Sequence, residues 1–269
     1  YSAFYTSTFG LGTSLSLLGA GTLGHHLAWP TAISLLALAP LVAAGLVTAG
    51  LRPLSPPAHG TAAWWPRFGP VLAHGPSRRY IIGYAAHCWE LLGLRSWMVA
   101  FFAFGFAASS APPWLSPTEA AALINLLGLP ASILGNEAAG RMDRHRWIAA
   151  MMLLAGGLCW CAGAAAALPW GWMLLVMAVY FICIMGDSAA LTAGLVTATP
   201  PAQRGAAMAL HSLAGFGAGF LAPLCFGAVL DGAGGHGSGA AWIWAFGTLG
   251  LGGLLWGALL ARRGPSGNA

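Results

Sequence analysis

The sequence contains no lysine, and charge of either sign is scarce: all 11 basic residues are Arg, 6 are acidic, and charged side chains make up only 6% of 269 residues. A water-soluble domain carries roughly 25% charged residues because its surface must be wetted. A soluble globular fold is therefore excluded. Alternation of apolar and polar residues over about ten positions, the mark of a membrane β-strand, is also missing. Uninterrupted apolar runs such as Trp147 to Leu168 and Trp172 to Met185 stand in its place. Of the two structures that satisfy their own backbone in lipid, the helix remains.

The five cysteines, Cys88, Cys159, Cys161, Cys183 and Cys225, form no CxxC pair and no metal-ligand spacing, and all fall in apolar runs. They read as small hydrophobes. There is no HExxH, no carboxylate near His25 and His26, and no GxxxxGKS/T phosphate loop. Neither a metal nor a cofactor is expected. The net charge of +5 does not point to nucleic acid, because in a membrane protein the placement of Arg matters more than its sum. The chain opens on Tyr1, without a charged leader before its first apolar segment, and reads as a fragment whose N-terminal part is missing.

What is abundant is apolar length. Hydrophobic residues are 58% of the chain and the mean hydropathy is +0.74. Taking about 20 apolar residues per crossing, the expected fold is all-α and polytopic, with about eight spans. They lie near Phe4 to Leu23, Ala28 to Leu51, Tyr80 to Ala107, Pro117 to Ala139, Trp147 to Leu168, Trp170 to Val196, Gly205 to Leu230 and Ala241 to Ala261. Six prolines mark the longest connection, over residues 52–79. It divides the chain into two spans (1–51) and six (80–269).

Basic residues are retained on the cytoplasmic side. Arg52, Arg67, Arg78 and Arg79 follow the second span, Arg141, Arg144 and Arg146 the fourth, Arg204 the sixth, and Arg262 with Arg263 the eighth. The four intervening loops hold no Arg. Ten against zero predicts both ends in the cytoplasm, and the expected location is the plasma membrane. It also tests the span count, since one missed crossing would scatter these residues over both sides.

Charge inside the hydrocarbon is expensive and marks function by default. Three such side chains lie well inside spans: Glu90 and Arg95 in the third, Asp187 in the sixth. At about 100° per residue, Tyr84, His87, Leu91, Arg95 and Met98 share one face of the third span, with Glu90 about 140° from Arg95. Glu90 and Arg95 therefore need partners on other helices or in a water-filled cavity. Two roles stay open for the three charges: an ion pair locking helices, or handling of substrate or protons. His87 is either a proton shuttle or a packing residue, and His211 is read as packing. Gly215 with Gly219 and Gly253 with Gly257 have the spacing that lets helices approach closely in lipid.

The segment GNEAAGRMDRHR, from Gly135 to Arg146, resembles the basic loop signature of the major facilitator superfamily. In that signature a Gly is followed four residues later by an acidic residue and then by R-x-G-R-R. Arg141, Arg144 and His145 fall on its basic positions, while Asn136 replaces the Gly, Gly140 the acidic residue and Asp143 the second Gly. The stretch from Arg204 to Asp231 is similar to the penultimate helix of bacterial members. The resemblance implies helices five to twelve of a twelve-helix transporter, with 52–79 as its central cytoplasmic loop. The third and sixth spans then correspond to cavity-lining helices seven and ten. It further implies secondary active transport of a small solute by alternating access. From the chemistry of the side chains themselves, proton coupling is expected through the carboxyl of Glu90 or Asp187, and Arg95, whose planar fork suits carboxylate or phosphate, is expected to contact an anionic group of the substrate. A membrane-embedded enzyme and a non-transporting sensor are the alternatives; the expected partners are solute, coupling ion and lipid bilayer.

The Arg count has a direct test. In a cysteine-free background, a cysteine at Ser238 is expected to react with an impermeant reagent from outside, and one at Ser266 is not; the reverse pattern overturns the orientation.

Overall fold

The computed structural model describes residues 2–51, 66–112 and 114–262, with side chains from residue 10 onward. Eleven α-helices form among these residues, and no strand. In chain order they are α1 (Ser2–His26), α2 (Trp29–Leu36), α3 (Leu38–Gly50), α4 (Phe68–Ala73), α5 (Gly75–Ala108), α6 (Pro117–Leu126), α7 (Gly128–Arg141), α8 (Arg144–Ala164), α9 (Trp170–Ala198), α10 (Arg204–Gly232) and α11 (Gly239–Arg262).

Two expected spans are each split by one residue, and proline explains both breaks. Pro40 and Pro130 lack an N–H and clash with the carbonyl four residues back. The helices accordingly break at Ala37, between α2 and α3, and at Leu127, between α6 and α7. With these pairs joined, seven helical segments are long and apolar enough to cross a membrane: Trp29–Gly50, Gly75–Ala108, Pro117–Arg141, Arg144–Ala167, Trp170–Ala198, Pro201–Gly232 and Gly239–Arg262. The expected first span coincides with α1, which is not among the seven. Thirteen of its 25 residues are Gly, Ser or Thr, and these dilute its apolar character.

The expected central loop differs from the structure in its second half. Residues 52–65 lie outside the described residues, but from Phe68 onward the chain is already helical in α4, and α5 starts at Gly75 rather than Tyr80. His74 is the N-cap: its ring accepts from Ser77 N–H, and Pro76 sits in the first turn, where its missing N–H costs nothing.

The exterior is apolar, as lipid requires. Phe220 is 72% exposed and Leu255 69%, on helices whose other faces are buried. Trp29–Gly50 has hardly any buried surface. In the interior α11 packs along α8, α10 along α5, and α7 along α9. Glycine allows the closest of these approaches. A Cβ on Gly135 of α7 would fall onto the carbonyl of Gly186 in α9, and one on Gly156 of α8 would lie 2.9 Å from the Gly250 carbonyl in α11. The turn from α10 into α11 needs Gly234 and Gly235 at φ +123° and +78°, conformations strained for any L side chain.

Gly135→Ala is expected to push α7 from α9 and lower stability by about 1–3 kcal/mol, outweighing the roughly 1 kcal/mol gain in helix propensity. Gly140→Ala, with nothing near its added methyl, should show only the gain. Thermal unfolding of the two purified variants in detergent checks both signs.

Candidate functional site

The helix α5 carries Tyr84, His87, Glu90 and Arg95, and its neighbours meet it in opposite directions. Along α9 the partners descend: Gly194 lies against Tyr80, Leu191 against Gly83, Asp187 against His87 and Tyr180 against Glu90. Along α10 they ascend: Gly215 lies against Tyr84, Gly219 against Leu92 and Gly227 against Trp97. So α9 is antiparallel to α5 and α10 parallel to it. Two candidate spans lie between α5 and α9 and three between α5 and α10, which is the parity a chain crossing back and forth requires.

His87, Glu90 and Arg95 of α5 each meet a different side chain. His87 Nδ1 is 2.7 Å from Asp187 Oδ1, with both residues 3% exposed. Tyr180 donates its hydroxyl to Glu90 Oε1 at 2.9 Å. Arg95 Nε donates to Asn125 Oδ1 at 2.8 Å, and the guanidinium carbon lies 5.7 Å from the centre of the Phe181 ring. Asn125 is oriented by donating in turn to Ala121 O of its own helix.

A cavity of about 470 Å³ opens between α1, α5, α9 and α10. Tyr84, His87, Leu91 and Arg95 line it from α5, Ser188 and Thr192 from α9, and His211, Ser212 and Phe216 from α10. Four of the five residues assigned by helical spacing to one face of α5 are on this wall. The fifth, Met98, is in the core at 1% exposure and touches the amide of Asn125. Glu90 is not a lining residue. It is buried on another side of α5, close enough to α11 that a Cβ on Gly253 would be 3.3 Å from its Oε2. Asp187 does not line the cavity either, but reaches its wall through His87.

Side chains that spacing alone left as packing complete the site. His211 stacks on Tyr84 with ring centres 3.6 Å apart at 13°, and its Nε2 is 3.4 Å from Thr192 Oγ1. A Cβ on Gly215 would collide with the Tyr84 ring, so this glycine, one turn beyond His211, makes the stack possible. That i, i+4 pairing was the one signal available in the sequence.

The loop motif sits at one end of the same bundle. Gly135, Asn136, Gly140 and Arg141 belong to α7. Asp143 caps α8 by accepting from Arg146 N–H at 2.8 Å. Arg144 donates to Asn136 Oδ1 at 3.2 Å and to Ala190 O at 3.1 Å, and Trp147 donates to Gly186 O at 2.9 Å. Both backbone acceptors belong to α9 and flank Asp187. His145 lies against Tyr80, ring centres 5.3 Å apart. Of the cysteines, Cys88 and Cys159 are buried, whereas Cys161 and Cys225 are exposed on apolar helix surfaces. Among the described residues no group of three or more His, Cys, Asp or Glu is placed to hold a metal ion.

Comparisons with family models, with characterised proteins and with solved structures returned no match.

The Glu90–Tyr180 contact can be measured apart from any transport. Tyr180→Phe leaves the carboxyl without its donor and is expected to cost about 1–2 kcal/mol. In a double-mutant cycle with Glu90→Ala, which removes the acceptor, unfolding in detergent should show a coupling of at least about 0.5 kcal/mol; additive losses would mean that the pair does not interact.

Proposed function

We propose that this chain is part of a secondary transporter that moves a small anionic solute across the plasma membrane by alternating access, in the manner of the major facilitator superfamily. One observation carries the reading: a cavity bounded by α1 and by three helices long and apolar enough to cross a membrane, with an arginine and a histidine on its wall. Ionisable groups inside membrane helices are retained where they handle ions or substrates, and midplane cavities between helical bundles are where transporters bind them. Arg95 is the anion contact in this reading. Its guanidinium stays charged and offers a planar fork to carboxylate or phosphate.

The coupling ion is a proton. Of the two carboxylates, Asp187 is the better candidate for it, since it reaches the cavity wall through the His87 imidazole. Glu90, held by Tyr180 away from the cavity, is assigned to structure. The helix α1 counts as an eighth crossing, which keeps every Arg-bearing connection and both ends on the cytoplasmic side.

The test is uptake into vesicles by the full-length protein, driven by an imposed pH gradient, across a panel of labelled organic anions. Accumulation of at least one anion is expected. Arg95→Lys should insert normally yet lose roughly tenfold or more in kcat/KM, because a point charge does not replace a bidentate fork. Normal kinetics in a stably expressed Arg95→Lys protein would show Arg95 to be a structural counter-ion, and no accumulation of any anion would sink the transporter reading.

A further inference from the structure

Along one stretch the cavity wall is polar, and three helices build it. His87 comes from α5, Ser188 from α9 and Ser212 from α10. The imidazole has its Nδ1 turned to Asp187, but the two serine hydroxyls hydrogen-bond to nothing among the described residues. Ser188 is half-buried and Ser212 exposed, and neither hydroxyl is one of the buried unpaired atoms of the bundle. A ligand in the cavity can reach both.

A serine within a helix either gives its proton to the carbonyl four residues back or points out to a solvent, and lipid offers no solvent of that kind. Away from the cavity the first choice is made. Ser34 donates to Pro30 O at 2.8 Å, Ser96 to Leu92 O at 2.9 Å and Ser109 to Gly105 O at 3.0 Å. Ser188 and Ser212 have Ile184 and Met208 at the same spacing and do not use them. Each hydroxyl therefore keeps one donor and its acceptor capacity for whatever enters. Hydroxyls on the ligand match such groups in any rotamer, whereas an alkyl chain of the same size would strip them of water and leave them unpaired.

The guanidinium lies further along the same wall. Arg95 is eight residues past His87, about 12 Å of helix rise, and a long helical side chain leans back towards the N-terminus, which shortens the gap. A volume of about 470 Å³ is in the range that holds a small organic molecule. We infer that the cavity takes a polyhydroxylated organic anion, with its carboxylate or phosphate at Arg95 and its hydroxyls at Ser188 and Ser212. The inference rests on Arg95 as the anion contact of the proposed transporter and names the substrate class, with the two serines as specificity-determining residues.

The probes are gluconate and hexanoate, which share a carboxylate and a carbon count and differ in hydroxyls, titrated calorimetrically into the full-length protein in detergent. Gluconate should bind roughly tenfold tighter or more, since one end of the site is left unpaired by hexanoate. Replacing both serines, Ser188→Ala with Ser212→Ala, should narrow that ratio at least threefold; alanine is the best helix former, and the ratio in the unsubstituted protein stands whether or not the variant folds. Glucose 6-phosphate in a second arm tells phosphate from carboxylate as the anionic group. Hexanoate binding as tightly as both hydroxylated anions, or a gluconate preference that the double substitution leaves within threefold of its starting value, would overturn the assignment. Uncharged sorbitol binding as tightly as both anions would remove Arg95 as the anion contact and the inference with it. Gluconate or glucose 6-phosphate bound with the expected preference but not taken up into vesicles would keep the ligand class and reject the transporter reading.

Discussion

A carboxylate, imidazole or guanidinium set among apolar helices costs several kcal/mol unless another side chain meets it, and the mutual placement of α5, α9 and α6 follows from that demand. Three ionisable groups within nine residues of α5 leave the helix in different directions. Asp187 and Tyr180, seven residues apart on α9, meet His87 and Glu90; Asn125 on α6 meets Arg95. Two contacts from α9 set its register against α5 more tightly than apolar packing could, since Leu and Met tolerate small slips and a 2.7 Å contact does not.

Small residues provide the room for this. Where side chains have to point into the bundle, the backbones must come close elsewhere, and lipid offers no hydrophobic force to hold them there. Gly135 against Gly186 and Gly156 against Gly250 let α7 reach α9 and α8 reach α11 at backbone distance. Gly215 and Gly219 leave space for Tyr84 and Leu92. The glycines visible as spaced pairs in the sequence thus serve two ends. Those of α11 face backbone of α8, and those of α10 face side chains next to the cavity.

The fold was legible in the sequence because a membrane crossing announces itself in apolar length, a property of single segments. The breaks at Ala37 and Leu127 were legible too, in Pro40 and Pro130, but counting apolar residues does not look for them. The early start of α5 was obscured by the prolines of 66–76, one of which, Pro76, initiates a helix rather than ending one. The site was legible only up to the surface of each helix. A 100° step separates the wall residues Tyr84, His87, Leu91 and Arg95 from Glu90, yet it cannot say that Glu90 meets Tyr180 while His87 meets Asp187. That depends on how α9 is rotated about its axis, which residues on α7 and α8 settle through Gly186 and Ala190. His211 was passed over for a related reason: a histidine is packing or site according to what lies opposite, and Tyr84 is 127 positions away.

The two side chains that reach α9 from the start of α8 have a mechanical meaning. Gly186 and Ala190, one turn apart, present their carbonyls on one face to Trp147 and Arg144, and Asp187 points about 100° away towards His87. Any turn of α9 that withdraws Asp187 from the imidazole also carries both carbonyls off their donors. At about 1 kcal/mol for each such bond inside a membrane, the two oppose that rotation by about 2 kcal/mol, in addition to the Asp187 and Tyr180 contacts it would break. The start of α8 therefore works as a torsional detent, a shallow notch that keeps the carboxylate at its station until a larger force rotates the shaft.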